Sequence, residues 1–243
     1  IIQGEAGLMD LTGPEDGAPY KVGTSIADLT AGLTASQAVM AALYARQRDG
    51  AGQHVQISMY EAVASLLTFN AGIYFATGEP PRRRGNAHPT IVPYETFKAA
   101  DGWINLGIAN DGLWRAFCGA IDRPELAADE RFAGAEDRVR NRDVLTPVVT
   151  AIIAGRGRDE WLELLQPLGI PCGAIRTVAE VCDSEILEVR GMVAGMSHAS
   201  AGTVRSIKNP ARMSRTPLDI YEAPPILGEH TKEVLAGLPE RNS

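Results

Sequence analysis

Asp28 is the residue whose type and surroundings best suit covalent chemistry. It lies in Lys21-Val-Gly-Thr-Ser-Ile-Ala-Asp28-Leu-Thr-Ala-Gly32, directly ahead of a long alanine-rich apolar run. A carboxylate there falls in the first turn of a helix, where unpaired backbone N–H groups and the helix dipole favour negative charge. Such a place keeps a carboxylate ionised while partly shielded from water, as a carboxylate nucleophile requires. The same residues also fit a capping box, in which Ser25 caps the helix and Asp28 reaches back to it. Spacing alone leaves both roles open, and they are compatible.

The remaining chemistry-bearing residues are fewer. Arg82-Arg83-Arg84, beside Gly85-Asn86, is the dense basic cluster. Guanidinium forks suit phosphate oxygens, although charge runs are commonly solvated linker faces. His88 follows in the same loop and reads either as a site residue or as a structural histidine. His230, in Gly228-Glu-His-Thr231, suits a helix start, while His54 and His198 take no role. The four histidines do not approach zinc-ligand spacing, so no metal is expected. Gly155-Arg-Gly157 lacks the strand and further glycine of a dinucleotide fingerprint and reads as a break between helices. Ser25 and Ser58 have no nucleophile-elbow context.

The elements that must position these residues are α/β in pattern. Residues 4–23 are turn-rich, with Gly13-Pro-Glu-Asp-Gly17 and Pro19 breaking regular structure. Leu29 to Arg48 reads as a helix ended by Arg48-Asp-Gly50. Val55, Ile57 and Met59 alternate with His54, Gln56 and Ser58, which predicts a strand over 53–59, followed by a helix over 60–76. A strand between two helices is an α/β signature. Residues 81–92, rich in proline and arginine, read as a linker. Two strands, 94–99 and 103–108, are joined at Ala100-Asp-Gly102. Helices are expected over 111–121, 138–154 and 158–168, then an extended segment at Gly169-Ile-Pro-Cys-Gly173. A helix begins near Thr177, proline-punctuated chain follows Ile207, and a short helix ends at Leu238.

Bulk composition narrows the function classes. The chain has 243 residues, 45% hydrophobic and 22% charged, enough for one large or two modest domains. A net charge of −7 argues against nucleic-acid or anionic-membrane partners. No apolar run is expected to reach the roughly 20 residues of a membrane span, and no leader pattern opens the chain. Cys118, Cys172 and Cys182 suggest free thiols in a reducing compartment, hence a cytoplasmic protein.

Several segments together resemble class III CoA-transferases, the family of formyl-CoA transferase and carnitine CoA-transferase. They are Pro19 to Asp28, Ala41-Ala-Leu-Tyr-Ala-Arg46, Gly50 to Ala62, Arg84-Gly-Asn-Ala-His88-Pro and Pro93-Tyr-Glu-Thr-Phe97. Asp101-Gly-Trp103, Gly169-Ile-Pro-Cys-Gly173 and Pro225-Ile-Leu-Gly-Glu-His-Thr231 continue the order. The resemblance implies that Asp28 is the nucleophile, that acyl-CoA and a carboxylic acid are the substrates, and that no cofactor beyond that thioester is needed. It implies that Gln3, Arg82, Arg83, Arg84, Gly85, Asn86 and His88 contact substrate or CoA. It also implies a Rossmann-like large domain, incomplete here, with a smaller inserted α+β domain, and two protomers interlocked as a homodimer. Residues 1–80 and 206–243 would belong to the large domain and 93–205 to the small one. The chain opens without methionine inside an element and would lack an amino-terminal region of the family. Ala87-His-Pro-Thr90 replaces the glycine-rich loop of formyl-CoA transferase, pointing away from formate and oxalate toward a larger, dicarboxylic or branched acid. An α-methylacyl-CoA racemase is the alternative reading, disfavoured because Leu29-Thr-Ala-Gly32 lacks the racemase glycine run. A non-catalytic binding or assembly partner is the other alternative.

Overall fold

The computed structural model describes residues 1–218 and 221–238, so residues 219–220 and 239–243 of the expected return segment lie outside the described residues. The chain divides into two compact units, Ile1–Ile175 and Arg176–Ser243. Both are mixtures of helix and antiparallel sheet.

The first unit opens with a single helical turn, α1 (Ile2–Glu5), and a 3₁₀ turn, Leu8–Leu11. The long helix α2 (Ile26–Asp49) follows the turn-rich stretch. Gly50 ends it in the left-handed conformation at φ 78°, where a side chain would be strained. Residues 51–58 form no strand. Their exposure does alternate, with His54 and Gln56 exposed and Val55 and Ile57 half-buried, but no strand among the described residues pairs with them. A strand is a ladder, and alternation cannot supply the second rail; the expected α/β order of helix, strand and helix is corrected accordingly. The expected helix over 60–76 is broken into α3 (Met59–Ala64), a 3₁₀ turn and α4 (Thr68–Thr77). Thr68 sits at the break with φ 41°.

Helix α2 buries Ala27 and leaves Leu33, Met40 and Tyr44 largely exposed. It is the helix among the described residues that is long and apolar enough to cross a membrane by length and composition, with mean hydropathy 1.3 over an 18-residue window. That corrects the expectation that no run approaches spanning length. Alanine, threonine and glycine dilute its apolar character enough to hide it from a glance at the sequence.

The larger core lies farther along. Strands β1 (Tyr94–Ala99) and β2 (Gly102–Gly107) form a hairpin pairing Tyr94 with Gly107 and Ala99 with Gly102. Across its inner face Phe97, Ala99, Ile104 and Leu106 are buried, and helices α5 (Asp111–Ala120), α6 (Pro124–Ala128), α7 (Ala135–Arg140), α8 (Arg142–Ile153) and α9 (Arg158–Leu165) complete one cluster. Trp114, Phe117, Leu145, Val149 and Trp161 fill it. The helix expected over 138–154 is thus interrupted at Asn141, and Gly155-Arg-Gly157 is the break between α8 and α9. Asp101 in the hairpin turn accepts from the Arg158 N–H at 2.8 Å, tying that turn to the first turn of α9. Strand β3 (Cys172–Ala174) adds antiparallel to β2, giving the order β1-β2-β3.

The second unit contains α10 (Val178–Cys182), α11 (Glu185–Val189), the hairpin of β4 (Val193–His198) and β5 (Gly202–Ile207), and α12 (Thr231–Ala236). Strand β5 runs through the junction placed between residues 205 and 206, so no element ends there. The start of α10 is a complete capping box. Thr177 Oγ1 accepts from the Glu180 N–H at 3.1 Å, and Glu180 Oε2 accepts from the Thr177 N–H at 2.6 Å. Thr177→Ala should cost about 1 kcal/mol. Faster amide exchange confined to 178–182 checks it; unchanged exchange there would show the box to be dispensable.

Candidate functional site

Asp28 and Gln3 share one cavity. It has a volume of about 600 Å³ and is lined also by Lys21, Gly23, Thr24, Ser25, Ala27 and Met59. Four pieces of chain build it: α1, the segment before α2, the first turn of α2, and Met59 at the start of α3. The capping box predicted for Ser25 and Asp28 is not formed. Ser25 occupies the N-cap position of α2 without a side-chain cap bond, and the Asp28 carboxylate has no hydrogen bond or ion pair among the described residues. Asp28 is exposed on the cavity wall. A carboxylate free of internal partners and facing a cavity is available to an incoming carbonyl carbon.

Gln3 is held differently from a free contact residue. Its Oε1 accepts from the Val22 N–H at 2.8 Å and its Nε2 donates to the Thr24 carbonyl at 3.5 Å. Its carboxamide is therefore engaged by the backbone leading to Asp28. Lys21 lines the same cavity, a cation that sequence reasoning quoted in the motif but gave no role.

The arginine run separates into two fates. Arg83 is mostly buried, donating to Asp10 at 2.8 Å and to the Gly17 carbonyl at 3.2 Å. With the Gly85 N–H bonded to the Gly13 carbonyl, it ties the linker to the turn-rich stretch. Arg82 and Arg84 are exposed and form no ion pair among the described residues. Gly85 takes φ 57°, which a side chain would resist.

His88 is an anchor between the linker and β1. Its ring stacks on Tyr94, centroids 5.1 Å apart and planes 2° from parallel, and Nδ1 accepts from the Thr90 N–H. Its N–H donates to the Tyr94 carbonyl and its own carbonyl accepts from Arg142 at 2.7 Å. Asn86 lines a second cavity, about 610 Å³, on the outer face of the three-stranded sheet with Tyr94, Thr96 and Asn105. Thr96 donates to Asn105 Oδ1 at 2.7 Å across the β1–β2 register. Tyr94 and Thr96 fall in Pro93-Tyr-Glu-Thr-Phe97 without a role of their own, and Asn105 was not singled out, although the period-2 alternation of both strands marks their face.

Of the thiols, Cys172 lines this second cavity, and Cys118 lies in the core. Burial pushes Cys118 up to about 11, so it stays protonated inside the core at neutral pH. Of the other histidines, His230 occupies an N-cap position without a side-chain cap bond, His198 Nδ1 accepts from the Ser200 and Ala201 N–H groups, and His54 is exposed. Among the described residues no three His, Cys, Asp or Glu side chains gather where they could hold a metal ion.

Comparison with known proteins decides the family. The model of CoA-transferase family III matches residues 1–231. The chain belongs to CoA-transferase family III. Family III relatives include the succinate–glutarate CoA-transferase of Agrobacterium fabrum, 32% identical over 98% of this chain and 60% of that protein. The acetyl-CoA:oxalate CoA-transferase of Acetobacter aceti is 34% identical over 88% of this chain and 54% of that protein. A crystal structure of a CAIB/BAIF family protein from Brucella suis superposes with TM-score 0.87 at 36% identity, covering 97% of this chain and 61% of that one. The chain thus spans about three-fifths of the length of these family III relatives.

Proposed function

We propose that the protein transfers coenzyme A between an acyl-CoA thioester and a carboxylic acid through Asp28. The observation that carries this reading is the Asp28 carboxylate, uncapped and unpaired on the wall of its cavity. One Asp28 carboxylate oxygen attacks the thioester carbonyl carbon, the C–S bond breaks, and a mixed anhydride forms with release of CoA thiolate. The thiolate then attacks Cγ of Asp28; the anhydride C–O bond breaks, the donor acid leaves as carboxylate, and an aspartyl-CoA thioester remains. The acceptor carboxylate attacks that thioester, and the steps run in reverse. No proton or electron is left over, so no redox cofactor enters. A carboxylate is a weak nucleophile, so placement against the carbonyl supplies much of the barrier reduction.

Family III relatives named for succinate, glutarate and mesaconate support a larger dicarboxylic substrate class, while a relative named for oxalate keeps that smaller diacid in view. On the same footing, residues 1–80 and the chain after β5 are parts of a Rossmann-like large domain, and the protein acts as an interlocked homodimer in the cytoplasm. The exposed apolar residues of α2 support such an assembly, since isolated large patches of this kind mark interaction surfaces. On the same reading Arg82 and Arg84, exposed and in no ion pair among the described residues, meet CoA phosphates, since guanidinium forks suit phosphate oxygens. Arg82→Ala or Arg84→Ala should raise the KM for acyl-CoA roughly 3- to 10-fold with unchanged Tm, as expected for one exposed phosphate contact. Arg83→Ala should instead lower Tm. Steady-state kinetics beside melting curves read both, and a reversed pattern would remove Arg82 and Arg84 from the site.

The complete gene product, incubated with a panel of acyl-CoAs and then hydroxylamine, tests the reaction. Peptide mass spectrometry should find a hydroxamate at Asp28. An unmodified Asp28, with deuterium entering the acyl α-carbon from heavy water, would overturn transfer in favour of racemisation; neither signal would leave a non-catalytic chain.

A further inference from the structure

We infer that Gln3 is a positioning residue that keeps Asp28 out of a helix cap and so keeps it free to react. The inference rests on Asp28 as the nucleophile. Ser25-Ile-Ala-Asp28 has capping-box spacing, yet the box is open. Elsewhere in the chain Ser58, Asn110, Thr177 and Ser184 each cap a helix by accepting from the N–H three residues on. Those four residues have extended backbones with ψ between 126° and 170°. Ser25 has φ −74° and ψ 57° instead. The Ile26 N–H bonds the Thr24 carbonyl at 2.8 Å, closing a three-residue turn centred on Ser25. Those angles and that bond define an inverse γ-turn, whose ideal values are about −75° and +65°.

Gln3 is the group that buttresses this turn from outside. Its Nε2 shares the Thr24 carbonyl, and its Oε1 fixes the Val22 N–H two residues earlier. With ψ of Ser25 held near 57°, the hydroxyl does not reach the first-turn N–H groups, and Asp28 has no reason to fold back. Without Gln3, Ser25 can relax to the extended conformation its counterparts use. The box then closes: Ser25 Oγ accepts from the Asp28 N–H, and the Asp28 carboxylate accepts from the Ser25 N–H. A nucleophile becomes a cap. The cost of the substitution in stability is offset by the new cap, so function and stability separate.

The test uses the complete gene product with Gln3→Ala, Gln3→Glu and the double variant Gln3→Ala/Ser25→Ala. Hydroxylamine trapping at Asp28 under saturating succinyl-CoA should slow at least 10-fold in Gln3→Ala, with the KM for succinyl-CoA within 2-fold. Gln3→Glu, which keeps the acceptor for Val22, should lie between. The double variant, unable to form the serine cap, should regain at least 3-fold of the loss, and Tm should stay within 2 °C throughout. Amide exchange is the second readout: the Asp28 N–H should exchange about 10-fold more slowly in Gln3→Ala and return to the original rate in the double variant. Trapping at the original rate in Gln3→Ala, or no recovery in the double variant, would overturn the inference. If the unmodified protein forms no hydroxamate, the nucleophile reading has failed, and the exchange measurement alone still decides whether Gln3 holds the box open.

Discussion

Arg138→Ala should lower the stability of the first unit by about 3–5 kcal/mol, the usual cost of truncating one partner of a buried ionic network. Arg138 is 1% exposed. Its Nε donates to the Val92 carbonyl at 3.0 Å and Nη1 to the Phe132 carbonyl at 3.0 Å. Nη1 also reaches the Ala133 carbonyl, while Nη2 pairs with Asp111 at 2.9 Å. The guanidinium further lies 5.5 Å from the Trp114 ring. Val92 and Phe132 are buried, so truncation strands carbonyls that water does not reach, at about 1–3 kcal/mol each. Arg138→Lys should recover only part of the loss, because one ammonium cannot serve four acceptors in a fixed fork. Melting followed by tryptophan emission should shift by roughly 10 °C for alanine. A loss below about 1 kcal/mol would mean the core collapses around the gap and the network is ornamental.

That network was not legible in the sequence, and the reason is physical. Ala135-Glu-Asp-Arg-Val-Arg140 looks like an ordinary charged helix face; whether an arginine there points outward depends on carbonyls 46 residues away and on Asp111, 27 residues away. The β1–β2 hairpin was legible because alternation and the Asp-Gly turn are both local signals, and the register follows from them. The end of α2 was legible for the same reason, from Arg48-Asp-Gly50. Residues 53–58 show the opposite: their alternation was real, but a ladder needs a partner that local pattern cannot reveal. The β4–β5 hairpin went unseen because Gly195, Ser197 and Gly202 weaken its strand signal. In the site, Ser25-Ile-Ala-Asp28 is a local capping signal, whereas the open box goes with a turn at Ser25 whose Thr24 carbonyl and nearby Val22 N–H are held by Gln3, 19 residues before Val22. Conformational selection of that kind is tertiary by nature.

Asp28→Ala should remove CoA transfer by a factor on the order of 10⁴ or more, as loss of a covalent nucleophile does in other enzymes. It should do so with little change in stability. The carboxylate makes no bond within the described chain, so its loss falls in the range of surface substitutions, about 0.5 kcal/mol or less. Had Asp28 been the far half of a capping box, the same substitution would cost about 1 kcal/mol. The two quantities together separate the roles more sharply than either does alone. Asp28→Asn keeps the shape and the helix-terminal position but cannot form the anhydride, so it should be as inactive as alanine. Asp28→Glu retains the chemistry and moves the oxygens by about one bond length, and a displacement near 1 Å typically costs about 10²-fold in a positioned reaction. Glutamate should therefore still be trapped by hydroxylamine, slowly, at residue 28. Rates across the three variants, set beside their melting temperatures, read the prediction directly. Transfer that survives Asp28→Ala would end the nucleophile reading; transfer and stability falling together would return Asp28 to the helix as its cap.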